Sequence, residues 1–297
     1  MESARVGIVV RTRDRPFFLE RALRDVLMQD LTAWHLVVAN DGGDIDVVRD
    51  TVRRVEADLG DRVTILDVPR PGGRCVAANL AIRALEVPYV VLHDDDDEWH
   101  PSFLTTTAAW LDDHRGDAGV AVPTEIVYER QSEGGGYVET GRVPFWAGMQ
   151  QITFLDLLSS NRVVPISFLY RRELHDELGY YDETLETVED WEFYLRIVVA
   201  HHIGFVRGEP LAFWRQRPSA RDAAANSMFA LDDAHRRDET IVRDRALRQY
   251  VRDHGAGLPH LVAGILRSEL HAYEERARRE RSWRERLRRV RERFRRR

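Results

Sequence analysis

Tyr89-Val90-Val91-Leu92-His93-Asp94-Asp95-Asp96-Asp97 sets an apolar run directly against four consecutive aspartates. A short, continuous apolar run reads as a strand buried on both faces, as in a parallel sheet, so the carboxylates leave from its carboxyl end. In open α/β sheets ligands collect at that end. A hard divalent cation takes oxygen from one or two carboxylates there and shares the rest of its shell with substrate phosphates. The plain alternative is a solvated acidic loop. Such runs seldom abut a buried strand, and two further acidic motifs repeat the placement.

Upstream of this stretch the chain alternates as βαβ units. Strands are expected at Arg5 to Arg11, Trp34 to Asn40, Arg62 to Val68 and Pro88 to His93, with helices at Pro16 to Gln29, Ile45 to Leu59 and Arg74 to Leu85. This alternation predicts a parallel sheet with helices on both faces. Pro101 opens another helix, to about His114. Downstream, Gly119 to Tyr128 and Tyr137 to Val143 read as strands paired around the Glu133-Gly134-Gly135-Gly136 turn. A short helix is expected at Phe154 to Ser160, a strand at Val163 to Tyr170 and a helix at Trp191 to Ala200. Ile203 to Val206 and Leu211 to Arg215 read as short strands. From about Ser227 the pattern is helical, with an interruption near Gly255 to Pro259, and the main boundary falls near residue 226.

The 297 residues suffice for one large α/β domain with an appendage. Cys75 is the only cysteine, which excludes an intrachain disulfide and fits a reducing cytoplasm. No targeting segment is expected, because the apolar run Val6 to Val10 ends at once in Arg11-Thr12-Arg13-Asp14-Arg15. No apolar stretch approaches a membrane span. Net charge is −6, unevenly spread: Glu274 to Arg297 holds thirteen arginines against five glutamates, a local +8 that leaves −14 for the remainder. An acidic body with a basic tail suggests an anionic partner for the tail.

Four further motifs carry chemistry. Thr12-Arg13-Asp14-Arg15-Pro16 and Asp41-Gly42-Gly43-Asp44 follow the first two strands and open at the same sheet edge, where an acidic residue can accept from a ribose or base. Taken alone, Asp41-Gly42 is an ordinary turn. Arg70-Pro71-Gly72-Gly73-Arg74 precedes a helix carrying Asn79; free backbone N–H groups and the helix dipole suit a phosphate there, and Arg74 adds a charge. Glu189-Asp190-Trp191-Glu192 sits at a helix start. Its carboxylates suit the dipole, and one of them, at the mouth of the same cleft, is placed to accept a proton from a hydroxyl.

In this order the motifs resemble a family 2 glycosyltransferase of the GT-A fold, over about residues 5 to 220. The resemblance rests on Thr12 and Arg15-Pro16, Asp41-Gly42, the Gly73 and Asn79 region, the aspartate cluster ending Trp99-His100-Pro101, and Glu189-Asp190-Trp191. It implies an α/β GT-A domain over 1–226, with a nucleotide-binding half (1–115) and an acceptor-binding half (116–226), and a helical extension over 227–297. It also implies transfer, with inversion, from a nucleoside-diphosphate sugar of UDP, dTDP or GDP type to a hydroxyl of a glycan or lipid-linked acceptor. Thr12 and Asp41 would hold the nucleoside, and Arg15, Gly73, Asn79, Arg215 and Arg217 the rest of the donor. Asp94 and Asp95 would contact ribose or the metal shell, Asp96 would bind Mn²⁺ or Mg²⁺, and Asp190 would be the general base. Glu189 and Trp191 are acceptor-side candidates.

Three positions depart from the family pattern. Asp14 replaces the usual asparagine, Asn40-Asp41 replaces paired aspartates, and Arg217 stands where many members have a histidine near the metal. Arginine cannot ligate a cation but can pair with a diphosphate. A sugar nucleotidyltransferase is a poorer match, since the first loop lacks a Gly-x-Gly-Thr-Arg turn and the chain has no lysine. A non-catalytic nucleotide-sugar-binding or scaffold protein is the alternative from another class. In the tail, Tyr273, Ala277, Trp283, Leu287, Val290 and Phe294 recur at helical spacing. Such a helix suits the protein body, a second copy or the inner face of an anionic membrane; no nucleic-acid motif accompanies it.

Overall fold

The computed structural model describes residues 3–55, 59–68, 72–218, 220, 226 and 231–295, with side chains as far as 275 and at 278. Arg70, Pro71, the expected helix end at 56–58 and the start at Ser227 lie outside the described residues. Contacts divide the chain into two compact units, Met1–Glu239 and Thr240–Arg297.

The first unit is built on a seven-stranded sheet. Its strands are β1 (Val6–Thr12), β2 (Trp34–Asp41), β3 (Val63–Val68), β4 (Tyr89–Leu92), β6 (Asp117–Ala121), β9 (Phe168–Arg171) and β10 (His202–Phe205), in the order β10-β6-β9-β4-β1-β2-β3. Pairing is parallel throughout except around β9, which runs antiparallel to both β4 and β6. Every residue of β1 and β4 is buried, as continuous apolar strands at the middle of a covered sheet require. Helices α1 (Pro16–Leu27), α2 (Ile45–Arg53), α3 (Arg74–Arg83) and α4 (Phe103–Asp113) connect the strands. Pro16 opens α1, where a missing N–H costs nothing, and Phe18, Leu19, Ala22, Leu23 and Val26 form its buried face. Parallel register brings Thr12 level with Asn40, so the loops after β1, β2 and β4 share one sheet edge.

A second sheet has the order β5-β11-β7-β8, with β5 (Glu98–Trp99), β7 (Thr124–Gln131), β8 (Tyr137–Phe145) and β11 (Ala212–Gln216). The hairpin expected around Gly134 is β7–β8. The single strand expected over Gly119 to Tyr128 is instead two, β6 and β7, in different sheets. Pro123 has no N–H to continue a ladder, and the chain changes sheets there, its carbonyl accepting from Leu211 N–H at 3.0 Å. The strand expected from Val163 shortens to β9, because Pro165–Ser167 forms a 3₁₀ turn. Short helices α5 (Phe154–Ser159) and α6 (Leu174–Leu178) precede α7 (Glu189–Ala200), while α8 (Asp232–His254) and α9 (Gly257–Arg295) complete the chain. The division between units falls inside α8 rather than near 226. Before it, Asp238 accepts from the Glu186 and Thr187 N–H groups, both at 2.9 Å, binding the start of α8 to the sheet-bearing unit.

Close packing of β6 on β9 depends on Gly119, where an added Cβ would lie 2.4 Å from the Phe168 ring. We expect Gly119→Ala to cost about 1–3 kcal/mol of stability through overpacking. A lower urea midpoint at unchanged slope would show this, and an unchanged midpoint would contradict it.

Candidate active site

The acidic stretch leaves β4 and turns inward. Asp95, Asp96 and Asp97 are buried, whereas the Asp94 side chain is 31% exposed. Burying carboxylates is tolerable only with counter-charges, and arginines from three elements supply them. Arg11, the buried penultimate residue of β1, donates to Asp94 through Nε at 3.1 Å and Nη2 at 2.5 Å. Arg15 pairs with Asp95 and Asp96, each at 2.8 Å, and Thr12 Oγ1 donates to Asp95 at 2.8 Å. Arg217 and Asn226 donate to the same Asp96 Oδ2, Asn226 at 3.1 Å. Arg21 of α1 donates to the Asp96 carbonyl at 2.5 Å, and Asp97 accepts from the Arg215 N–H at 2.8 Å.

These partners split the carboxylates. Burial pushes Asp96 upward, but Arg15 and Arg217 outweigh it and hold the group below the ordinary range. Burial pushes Asp95 up to about 7 despite Arg15, with Asp96 adding repulsion. Burial and the neighbouring Asp96 and Asp94 raise Asp97 well above the usual range. Negative charge is thereby concentrated at Asp96, between two guanidinium groups.

The second carboxylate pair begins α7. Glu189 is buried and accepts from Arg11 Nη1 at 2.7 Å, with Arg74 Nη1 at 3.9 Å. Arg11 therefore bridges Asp94 and Glu189, joining the end of β1 to the start of α7. Asp190 beside it is half-buried and accepts from Asn161 Nδ2 at 2.8 Å. Burial, reinforced by Glu189, pushes its carboxyl up to about 7. Val188, immediately before, has φ +55° and ψ +19°, a left-handed conformation that disfavours a β-branched residue. Strain of this kind costs on the order of 1–3 kcal/mol and is typically held at functional sites.

A cavity of about 350 Å³ is lined by Arg11, Thr12, Arg15, Asp41, Arg74 and Asp94 to Asp97, a size suited to a small ligand. A hollow of about 630 Å³ involving Tyr89, Asp112, Asp117 and Arg171 lies at the opposite sheet edge, where β4 and β6 begin. Asp112 there is already tied to Arg5 and Tyr89.

Several expected donor contacts take other partners. Asp41 lines the cavity, but its Oδ1 accepts the Gly72 and Gly73 N–H groups at 3.0 and 3.1 Å. The glycine-turn donors expected to face a phosphate are thus occupied by Asp41, and Gly73, at φ +85°, serves as the N-cap residue of α3. Asn79 is buried within α3 and exchanges hydrogen bonds of 3.0 Å with the Tyr181 backbone, clamping the 181–183 loop. Arg217 is also buried, behind the acidic loop rather than on the cavity wall. Of the acceptor-side candidates, Glu189 is engaged by Arg11, and Trp191, 2% exposed, donates to the Leu157 carbonyl at 2.7 Å. Trp191 thereby packs α7 on α5 instead of presenting a face to a ligand.

Sequence reasoning passed over Glu129 of β7, which accepts from Arg21, Arg215 and Arg217 at 3.2, 3.0 and 2.6 Å. A charged residue two positions beyond buried Val127, where period two marks an inward position, was the available signal. Phe18 was likewise unmarked: the guanidinium groups of Arg15 and Arg217 lie 4.6 and 4.5 Å from its ring centroid. Asn226 gave no signal.

Among the described residues, no three His, Cys, Asp or Glu side chains converge to hold a metal ion. Mg²⁺ and Mn²⁺ need only one or two protein carboxylates beside phosphate and water, and the oxygen donors on the cavity wall suit a cation held in that way.

Residues 7–179 match the family described as glycosyl transferase family 2. The chain is 26% identical over 192 residues to a Bacillus subtilis (strain 168) protein described as uncharacterized glycosyltransferase YwdF, covering 65% of this chain and 67% of that one. It is 23% identical over 211 residues to the putative colanic acid biosynthesis glycosyl transferase WcaA of Escherichia coli (strain K12), covering 69% and 68%. S. aureus TarS 1-349 in complex with UDP-GlcNAc superposes with a TM-score of 0.59 at 19% identity, over 75% of this chain and 61% of that one. Mannosyltransferase PcManGT from Pyrobaculum calidifontis, in complex with GDP-Man and Mn²⁺, gives 0.53 at 16% identity, over 75% and 59%. This chain thus spans about three fifths of the length of those two structures, which share its fold. With more than half of its residues matched, the chain belongs to glycosyl transferase family 2 and is a glycosyltransferase of the GT-A fold.

Proposed function

We propose that this protein is an inverting glycosyltransferase that moves a sugar from a nucleoside-diphosphate donor to an acceptor hydroxyl. The observation that carries the reading is the ion-pair chain Asp94–Arg11–Glu189, which ties the acidic loop to the helix start bearing Asp190. In this reading Thr12 and Asp41 hold the nucleoside, and Arg15, on the cavity wall, pairs with the diphosphate. Asp190 takes the proton of the attacking hydroxyl, and its raised pKa makes the carboxylate a stronger base than a solvated aspartate. Arg11 keeps Glu189 compensated, so that the neighbouring Asp190 can still ionise near neutral pH. Asp96, with Asp94 beside it, would hold Mg²⁺ or Mn²⁺, which when bound supplies charge neutralisation for the departing diphosphate. WcaA's description as a colanic acid biosynthesis enzyme supports polysaccharide or glycoconjugate assembly, and in this reading the acceptor is a glycan or a lipid-linked sugar. The nucleoside-diphosphate donor of this reading fits a protein on the cytoplasmic side.

Asp190→Asn should abolish release of nucleoside diphosphate from the donor in the presence of acceptor while preserving nucleotide affinity; retained turnover would remove the base assignment. For the unsubstituted protein, kcat/KM should fall roughly tenfold per pH unit below about 7, because the base form is lost as pH drops through the folded-state pKa. A flat profile from pH 5 to 8 would contradict this. The same pKa, raised from an ordinary 3.8, means that ionising Asp190 costs folding stability as pH rises between those values. Asp190→Asn should therefore melt at a higher temperature than the unsubstituted protein at pH 8, with the difference vanishing near pH 4. Arg15→Gln should weaken UDP binding by about tenfold or more, the loss of one charge-assisted contact; unchanged affinity by calorimetry would exclude Arg15 from the diphosphate site.

A further inference from the structure

In the second unit, α9 runs unbroken from Gly257 to Arg295. Along its first part Leu258, Leu261, Ile265, Leu266, Leu270 and Tyr273 are between 54% and 65% exposed. Six large apolar side chains open to water on one short segment exceed the scattered exposure normal for a protein surface. At 100° per residue they and Val262 cover about half of the helix circumference, with Glu269 the one charged residue inside that half and His260, Arg267, His271 and Glu274 on the other. The next segment, Glu274 to Arg297, carries the local +8. Among the described residues no helix is long and apolar enough to cross a membrane.

We propose that α9 is a seat for an anionic phospholipid surface: Leu258 to Tyr273 enter the boundary between headgroups and acyl chains, and the arginine-rich segment binds the lipid phosphates. A wide apolar face of low overall hydrophobicity joined to a dense cationic stretch is what lies in a bilayer interface without spanning it. Attraction between clustered arginines and anionic lipids supplies the second signal that a short apolar face needs for stable anchoring. The five glutamates after Tyr273 reduce the charge but leave it strongly positive.

Sequence spacing argues against a second copy of the chain as the occupant. A two-stranded coiled coil needs a narrow seam repeating every three and four residues. Continued at that spacing from Leu258, Val262 and Ile265, the seam meets Glu269, Ala272, Arg276 and Arg279; started from Leu266, Leu270, Tyr273 and Ala277, it meets Glu280 and Arg284. A parallel pair would also set two +8 segments side by side, whereas an anionic surface is complementary to them.

The proposal adds a docking surface to the transferase reading, and its assay measures no sugar transfer, so either can fail alone. The full chain is sedimented with vesicles of phosphatidylcholine and with vesicles containing phosphatidylglycerol as well. Binding is expected only to the second, and it should weaken as salt is raised. The pair Leu261→Asp and Ile265→Asp, at positions exposed in the folded chain, should weaken binding at least about tenfold. So should Arg288→Gln with Arg289→Gln and Arg291→Gln. Equal binding to both vesicle types, or binding untouched by the Leu261 and Ile265 pair, overturns the proposal. So does a dimer, seen by light scattering without vesicles, that the same pair dissolves.

Discussion

Three buried aspartates in succession are the constraint around which the sheet-bearing unit is arranged. Each buried carboxylate carries an effective desolvation penalty of several kcal/mol unless it is paired and hydrogen-bonded. Asp95, Asp96 and Asp97 meet that demand with Thr12 from the end of β1, Arg15 at the cap of α1 and Arg21 within it, and Arg215, Arg217 and Asn226 from β11 and the chain after it. Glu129 then draws Arg21, Arg215 and Arg217 together from below. The second sheet thus contributes Glu129 and Arg215 to the network as well as the hairpin. Removing one member would leave an uncompensated charge in a low dielectric, so the network specifies one arrangement more than it adds stability.

Arg11 extends the network to the start of α7. Its guanidinium pairs with both Asp94 and Glu189, and the two carboxylates hold its pKa well above the usual range although burial opposes this. The consequence falls on Asp190. Burial and the neighbouring Glu189 raise Asp190 while Arg11 opposes them, which leaves it at about 7, where a carboxylate can exchange protons at working pH. Strain at Val188 and the stability lost on ionising Asp190 fall at the same helix start, the usual location of a trade between stability and activity.

The parallel half of the fold was legible because β1 and β4 are apolar on both faces and the helices between them are punctuated by Pro16 and Gly73. The acidic loop was legible because it abuts β4. The break at Pro123 was hidden by the apolar pattern running through it, and β5, two residues long, is too short for a period to register. Partners were harder to read than positions. Arg217 lies 121 residues from Asp96 and Asn226 lies 130 from it, separations at which no local pattern speaks. Trp191 and Asn79 show the same limit from the other side. Each stands within a motif that resembles a ligand-binding one, yet its hydrogen bonds go to Leu157 and Tyr181.

The central claim is that the cavity beside Asp94 to Asp97 receives a nucleoside diphosphate. The most direct measurement is a thermal-shift series of the full chain with UDP, GDP, dTDP and CMP, each with and without Mn²⁺, since a ligand selective for the folded state raises the melting temperature with its concentration over Kd. We expect one nucleoside diphosphate to stabilise the protein and Mn²⁺ to enlarge the shift. No shift with any of the four, with or without Mn²⁺, would contradict the account and favour a scaffold that has kept the fold without the donor site.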